Sequence, residues 1–304
     1  MKRVFISGTG NVGKNLIGLI QQYDVGVRIT GLENRRGMIS GEHLTNNDVE
    51  NFLKNPEKFG KNKEKAEYDI FVDLRTASRD GRMELESYIS EFQKGKNVVT
   101  ANKSGLANYW PEIFQSCKNE NSNILYEATV AGGLPIFSTL RASCGYFKVR
   151  SFRGIVNLTS NYIIKKVNSG INLKEAEEEA IRLGIAETDM SDDLTGKDSA
   201  RKAVIVCNSL FGKKFRLSDF KYGGLNLNKI EQNSMLLVSI NEDEEFKAQS
   251  GIQILEENDP FLKMGPTAMA AEVGFYGRSN LTLMEEFDGP LETASAVLSD
   301  IINI

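Results

Sequence analysis

Histidine and cysteine are scarce, with one His and three Cys in 304 residues. The single histidine, His43, sits in the polar stretch SGEHLTNND. That argues against a Ser/His/Asp hydrolase and leaves acid–base chemistry to Lys, Asp, Glu or Tyr. Cys117, Cys144 and Cys207 form an odd, widely spaced set without a CxxC pair. Such a set excludes a disulfide framework or a cysteine zinc site, fits a reducing, cytoplasmic compartment, and reads as three small buried hydrophobes. No apolar run approaches the roughly 18 residues that a membrane span needs. The opening MKRVFIS is apolar for only a few residues before a glycine turn, so it reads as a strand and not a signal peptide. A concentrated positive charge is missing too. Lys+Arg 37 against Asp+Glu 41 gives a net charge of −4 with no basic block, so nucleic acid is not an expected partner. No internal repeat or low-complexity segment interrupts the chain.

What is present is an ordinary globular composition, 40% hydrophobic and 26% charged, in a length that suits two domains. The first half alternates strand and helix. Strands are expected at Val4–Ser7, Val27–Thr30, Asp69–Leu74, Asn97–Asn102 and Ile124–Val130. Helices are expected at Asn11–Gln22, with Val12, Leu16, Leu19 and Ile20 on one stripe, and around Gly81–Lys94 and Leu106–Asn119. That alternation predicts an α/β, doubly wound parallel sheet, with the polar stretch Arg36–Glu67 as an excursion at its edge. After Phe147 the pattern changes. FKVRSFRGIVN, MLLVSI and LTLMEEF read as strands, and INLKEAEEEAIRLG as a helix started by Asn172 and stopped by Gly184. The final TASAVLSDIINI reads as an apolar helix.

Three groups of residues carry chemistry. GTGNVG, Gly8 to Gly13, follows a strand and opens a helix. Its glycines permit a tight turn and let backbone N–H groups and a helix N-terminus approach a pyrophosphate. Glu33 stands 20 residues beyond Gly13, where an acid holds the ribose hydroxyls of NAD, but Arg35 and Arg36 follow and suit a 2′-phosphate. NADP is favoured and NAD stays open. Lys103 ends the fourth strand in VVTANK, and Glu127 and Thr129 end the fifth, all at the sheet rim where such folds bind ligands. Glu187, Asp193, Asp198 and Lys202 lie in GIAETDMSDDLTGKDSARK. Asp198 and Lys202 are spaced i,i+4 at a helix start and so share a face. Alone they read as a surface ion pair. Downstream of a nucleotide domain, the carboxylates suit an ammonium and the lysine suits a carbonyl, as an amino-acid aldehyde requires.

In order along the chain, GTGNVG, VVTANK, YEATVAGGLP, GIVNLTSNYI and AIRLGIAETDMSDDLTGKDSARK resemble homoserine dehydrogenases from Met1 to about Lys202, with a weaker match at TASAVLSDI. The resemblance implies a Rossmann domain over 1–146, an α+β substrate and dimerisation domain over 147–286, and a C-terminal helix, 287–304, returning to the first domain. It implies NAD(P)-dependent interconversion of L-homoserine and L-aspartate 4-semialdehyde, on the path to threonine and methionine, by a homodimer. By position, Lys202 matches the acid/base and Lys103 a lysine beside nicotinamide and substrate. Glu187 and Asp198 match the substrate carboxylates, with Asp193 supporting them. Gly8, Thr9, Gly10, Asn11, Val12, Gly13, Arg35, Thr76, Lys103, Gly184 and Gly289 match the cofactor contacts. Glu127, Val130, Gly132 and Leu134 match a loop that offers mainly backbone carbonyls to sodium. Four departures stand out: Leu158 replaces the glycine of Asn-Gly-Thr, Met190 a proline, Arg75 a threonine beside the cofactor, and the tail before the last helix is short. They keep two alternatives open, a dehydrogenase of another amino or oxo acid and a catalytically silent dinucleotide-binding protein. An amino-acid-binding regulatory domain of the ACT type is not expected.

Overall fold

Short strands apolar on both faces must be covered on both faces, and the first half of the chain meets that need with helices. The computed structural model describes residues 1–304 apart from 62–63, 187–188 and 225–229. β1 (Lys2–Ser7) pairs in parallel with β2 (Val27–Glu33) on one side and β4 (Ile70–Asp73) on the other. β5 (Asn97–Thr100) and β6 (Ile124–Leu125) continue the parallel sheet, and β3 (Met38–Ser40) adds an antiparallel edge beside β2. The order β3-β2-β1-β4-β5-β6 reverses direction at β1, which places the ligand crevice at the carboxyl ends of β1, β2 and β4. The connecting helices are α1 (Asn11–Gln22), α2 (Asn46–Lys54), α3 (Arg82–Gln93) and α4 (Lys103–Asn119). α2 lies within the polar excursion and is held by a capping box between Thr45 and Asp48.

The fifth strand is shorter than its apolar run suggests, and this corrects the expectation of Ile124–Val130. Extended backbone stops at Leu125 because the next donors are used elsewhere. The Glu127 N–H bonds the Asp300 Oδ2 at 2.7 Å, and the Thr129 N–H and hydroxyl both return to the Tyr126 carbonyl. Ala128–Ala131 then forms a helical turn, α5, ended by Gly132 at φ 56°. Glu127 and Thr129 are therefore buried residues of a turn and not strand ends.

The chain divides into two compact units, Met1–Gly133 with Pro290–Ile304, and Leu134–Gly289. The short helix α6 (Ile136–Thr139) falls in the second of these, so the first unit ends earlier than residue 146. α11 (Pro290–Asn303) packs Ala294, Val297, Leu298 and Ile301 against Leu16, Ile17 and Ile20 of α1 in one apolar core. Each fully buried Val, Leu or Ile side chain there contributes about 1.5–3 kcal/mol. The Lys2 ammonium donates to the carbonyls of Ile301, Ile302 and Ile304 at 3.1, 2.7 and 2.8 Å, satisfying a helix end that has no further turn to bond.

The second unit is an antiparallel sheet packed by helices. Its strands are β7 (Val149–Ile155), β8 (Ser234–Asn241), β9 (Lys247–Ile254), β10 (Met269–Phe275) and β11 (Arg278–Glu285), in the order β11-β10-β7-β8-β9. α7 (Leu158–Asn168) and α10 (Lys197–Phe211) pack on β8, and α8 (Leu173–Arg182) packs on α7. Asn172 caps α8 by accepting from the Glu175 N–H, and Gly184 follows its end at φ 72°, as the sequence pattern predicts. The short helix α9 (Ser191–Leu194) leads into α10. All three cysteines are free and buried.

Candidate active site

Backbone geometry builds the crevice of the first unit. Gly8 follows β1 at φ 107°, and a Cβ there would lie 2.3 Å from the Leu74 carbonyl oxygen. At Gly13 a Cβ would lie 2.2 Å from the Gly8 oxygen. Only glycine fits either position, so the turn and the helix draw close enough to cradle an anion. Gly10 starts α1 without a side-chain cap, which leaves the leading N–H groups of Asn11 and Val12 for a ligand. The Asn34 amide donates to the Thr9 hydroxyl at 2.8 Å and ties the turn to the end of β2. A cleft of about 510 Å³ results, with Gly8, Thr9 and Gly10 on one wall and Glu33, Arg35, Arg75 and Thr76 on the others. These residues fit a dinucleotide: a phosphate cradle, then a charged end suited to a ribose.

The charged end is already partly neutralised. Glu33 accepts the Ser7 hydroxyl at 2.6 Å and stands 3.8 Å from the Lys65 ammonium. Lys65 lies over the Phe5 ring at 3.9 Å, and its burial lowers its pKa below the ordinary lysine value, against the pull of Glu33. Asp73 is fully buried and receives Arg75 through Nε at 2.8 Å and Nη2 at 3.1 Å, together with the Tyr88 hydroxyl at 2.8 Å. Burial works against the Arg75 charge, but the Asp73 carboxylate outweighs it and raises the guanidinium's pKa. Arg36 is 3.8 Å from Glu57, whereas exposed Arg35 makes no ion pair among the described residues.

Lys103 is the first residue of α4, half-buried at the carboxyl end of β5. Its neighbours are fixed. Asn102 caps the helix through the Ser104 N–H and donates to Glu84 Oε1 at 2.8 Å, and the Ser104 hydroxyl donates to the Ser78 carbonyl at 2.7 Å. Fully buried Glu84 also accepts the Ser78 N–H at 2.8 Å. The backbone that carries Lys103 is thus anchored on both sides. Of the residues matched to a sodium loop, Glu127 precedes α5, Val130 lies in it, Gly132 ends it, and Leu134 opens the second unit.

In the second unit the structure brings Asp193, Asp198 and Lys202 together. Asp198 and Lys202 share one face of α10, with Nζ 2.9 Å from Asp198 Oδ2. Nζ also donates to the Val156 carbonyl at the end of β7. An ammonium has three N–H bonds, and among the described residues these two leave one for a ligand oxygen. Asp198 and Lys202 are 8% and 9% exposed, so their interaction is far less screened than that of a surface pair. The Asn157 amide donates to both Asp193 Oδ1 at 2.7 Å and Asp198 Oδ2 at 2.9 Å. Asn157 is visible in the sequence only as part of a motif. Its 36- and 41-residue separations from the aspartates hide it from any local spacing argument. Glu187 lies outside the described residues. Gly184 is exposed beyond the end of α8, and Gly289 is the residue before α11.

A family model described as "Homoserine dehydrogenase, NAD binding domain" matches residues 8–127, and one described as "Homoserine dehydrogenase" matches 135–302. The chain belongs to the homoserine dehydrogenase family. A curated homoserine dehydrogenase of Sulfurisphaera tokodaii is 30% identical, covering 99% of this chain and 97% of its own. The crystal structure of homoserine dehydrogenase from Thermoplasma acidophilum superposes with a TM-score of 0.89 at 36% identity, covering 99% of this chain and 98% of that one. A hyperthermophilic archaeal homoserine dehydrogenase in complex with NADPH has a TM-score of 0.83 at 26% identity, covering 99% and 97%. Family membership makes the chain an oxidoreductase with a nicotinamide-nucleotide domain, and the cleft beside Gly8 is where that domain's geometry places the phosphates.

Proposed function

We propose that the protein is an NADP-preferring homoserine dehydrogenase serving threonine and methionine synthesis, with Lys202 as its acid/base. The observation that carries the cofactor preference is the state of Glu33. Its carboxylate is engaged by Ser7 and faced by Lys65, while Arg35, at the same end of the cleft, has no ion-pair partner among the described residues. An acid held in this way offers little to a ribose 2′-hydroxyl, and an arginine suits a 2′-phosphate. When bound, the reduced nicotinamide supplies the hydride for the semialdehyde carbonyl carbon. The remaining Nζ proton of Lys202 is the one given to the carbonyl oxygen, so the alcohol forms without a free alkoxide. Asp193 and Asp198 supply carboxylates suited to a substrate's ammonium. Lys103, matched by position to the lysine beside nicotinamide and substrate, adds positive charge for orientation. The test is initial rates with homoserine against NADP and NAD, in the wild type and in Arg35→Ala. The reading expects NADP to be preferred and the variant to lose about tenfold or more in kcat/KM with NADP but little with NAD. Equal losses with both cofactors would remove Arg35 from the 2′ end.

We further propose a homodimer formed through the second unit's sheet. One row of that sheet runs Glu272, Arg153, Ser239, Gln249 across β10, β7, β8 and β9, and these side chains line a groove of about 540 Å³. α7 and α10 pack on β8, and the 3-10 turn Pro260–Lys263 covers only the end of the row's own face, where Phe261 meets Ile155, Met235, Leu237 and Ala270. Sedimentation at twice the chain mass supports this reading, and sedimentation as a monomer at micromolar concentration contradicts it.

A further inference from the structure

We propose that Asn157 positions the side chains of the lysine site, making it a positioning residue for turnover. The proposal rests on the reading of Asp193, Asp198 and Lys202 as the substrate site.

Asn157 is 2% exposed, and every hydrogen-bonding group on its side chain is used. Oδ1 accepts the Ser160 N–H at 2.8 Å, which starts α7, and Nδ2 donates to Asp193 at 2.7 Å and Asp198 at 2.9 Å. The amide orientation has one solution. A flipped side chain would set a carbonyl oxygen against two carboxylates and an NH2 group against a backbone N–H. Both carboxylates therefore converge on one nitrogen, which fixes their separation. Asn157 and Lys202 share the Asp198 Oδ2, and the amide reaches Asp193 as well. Lys202 pairs with Asp198 and bonds the Val156 carbonyl, one residue before Asn157. The same short segment thus orients the lysine through its backbone and the aspartates through its side chain. Its own position is held from the sheet: the Asn161 amide bonds the Asn157 carbonyl at 3.1 Å and both polar backbone atoms of Leu236 on β8.

Capping and clamping can be separated. Serine and aspartate start helices about as well as asparagine, but neither can donate to two carboxylates as the amide does. The experiment compares Asn157→Ser, Asn157→Asp and Lys202→Ala for kcat, for KM of homoserine and cofactor, and for thermal unfolding. We expect Asn157→Ser to stay folded at the assay temperature with a lowered unfolding midpoint, to keep its cofactor KM, and to lose about tenfold or more in kcat/KM for homoserine. Asn157→Asp falls further, because a third carboxylate stands where the donor was. A capping role alone predicts both variants close to wild type in turnover, and that result overturns the proposal. If Lys202→Ala itself turns homoserine over normally, the reading of the site fails and takes the proposal with it. Loss in Lys202→Ala with both Asn157 variants unaffected rejects the role of Asn157 alone. Should either variant fail to fold, Asn157→Thr, which also caps, replaces it with the same expectation as serine.

Discussion

The crevice of the first unit is made of backbone, whereas the lysine site of the second is made of side chains. In the first, Gly8 and Gly13 matter for what they lack, since a Cβ at either would lie within 2.3 Å of a carbonyl oxygen. In the second, a lysine, two aspartates and an asparagine hold one another through named donors and acceptors. The difference predicts how each responds to mutation. A backbone-built site cannot lose binding without losing structure, because the same conformation does both. A side-chain site can lose its chemistry while the other unit keeps its ligand.

The largest expected effect is in the side-chain site. Lys202→Ala should lower kcat for homoserine by about 10²–10⁴-fold, the usual worth of a placed acid/base. NADPH binding, read by the fluorescence of its nicotinamide, should persist. Loss of both would erase the contrast between the units. Next comes the backbone site. Gly8→Ala forces a methyl group against the Leu74 carbonyl at φ 107°, so cofactor binding and thermal stability should fall together, by about 1–3 kcal/mol for the strained backbone alone. Near-normal binding in a destabilised protein would show that the turn tolerates rebuilding. Smallest in function is Ile301→Ala. It empties a fully buried position between α11 and α1 and should cost about 2–5 kcal/mol in denaturant unfolding. The lysine site should keep its turnover below the transition, and a specific drop in kcat for homoserine would tie α11 to the chemistry directly.

The sequence is legible wherever the determining residues are close together. GTGNVG reports a turn whose parts are adjacent, and Asp198 and Lys202 report a helix face four residues apart. The α8 cap and stop are likewise local. What is hidden depends on long pairings. Ser7 and Lys65 engage Glu33 from 26 and 32 positions away, and no periodicity marks Lys65 within its polar excursion. β9 and β10 carry no clear strand pattern because KAQSGIQI and MAAEVGF mix small, polar and glycine residues and owe their extension to partners on β8 and β7. The fifth strand reads too long for the opposite reason. Its apolar run continues through residues that form a helical turn, and only Asp300, 173 positions away, shows why the ladder ends.

That distant partner has a consequence for the order in which the molecule can be made. Residues 1–133 contain all six strands of the first sheet, yet part of their core is supplied by Ala294, Val297, Leu298 and Ile301. During synthesis the second unit, continuous from 134 to 289, has all its own residues first. The nucleotide unit must wait with α1's apolar stripe uncovered until residues 290–304 leave the ribosome. The order of completion is therefore the reverse of the order of translation. Until then Leu16, Ile17 and Ile20 lack the cover that α11 gives them in the finished fold.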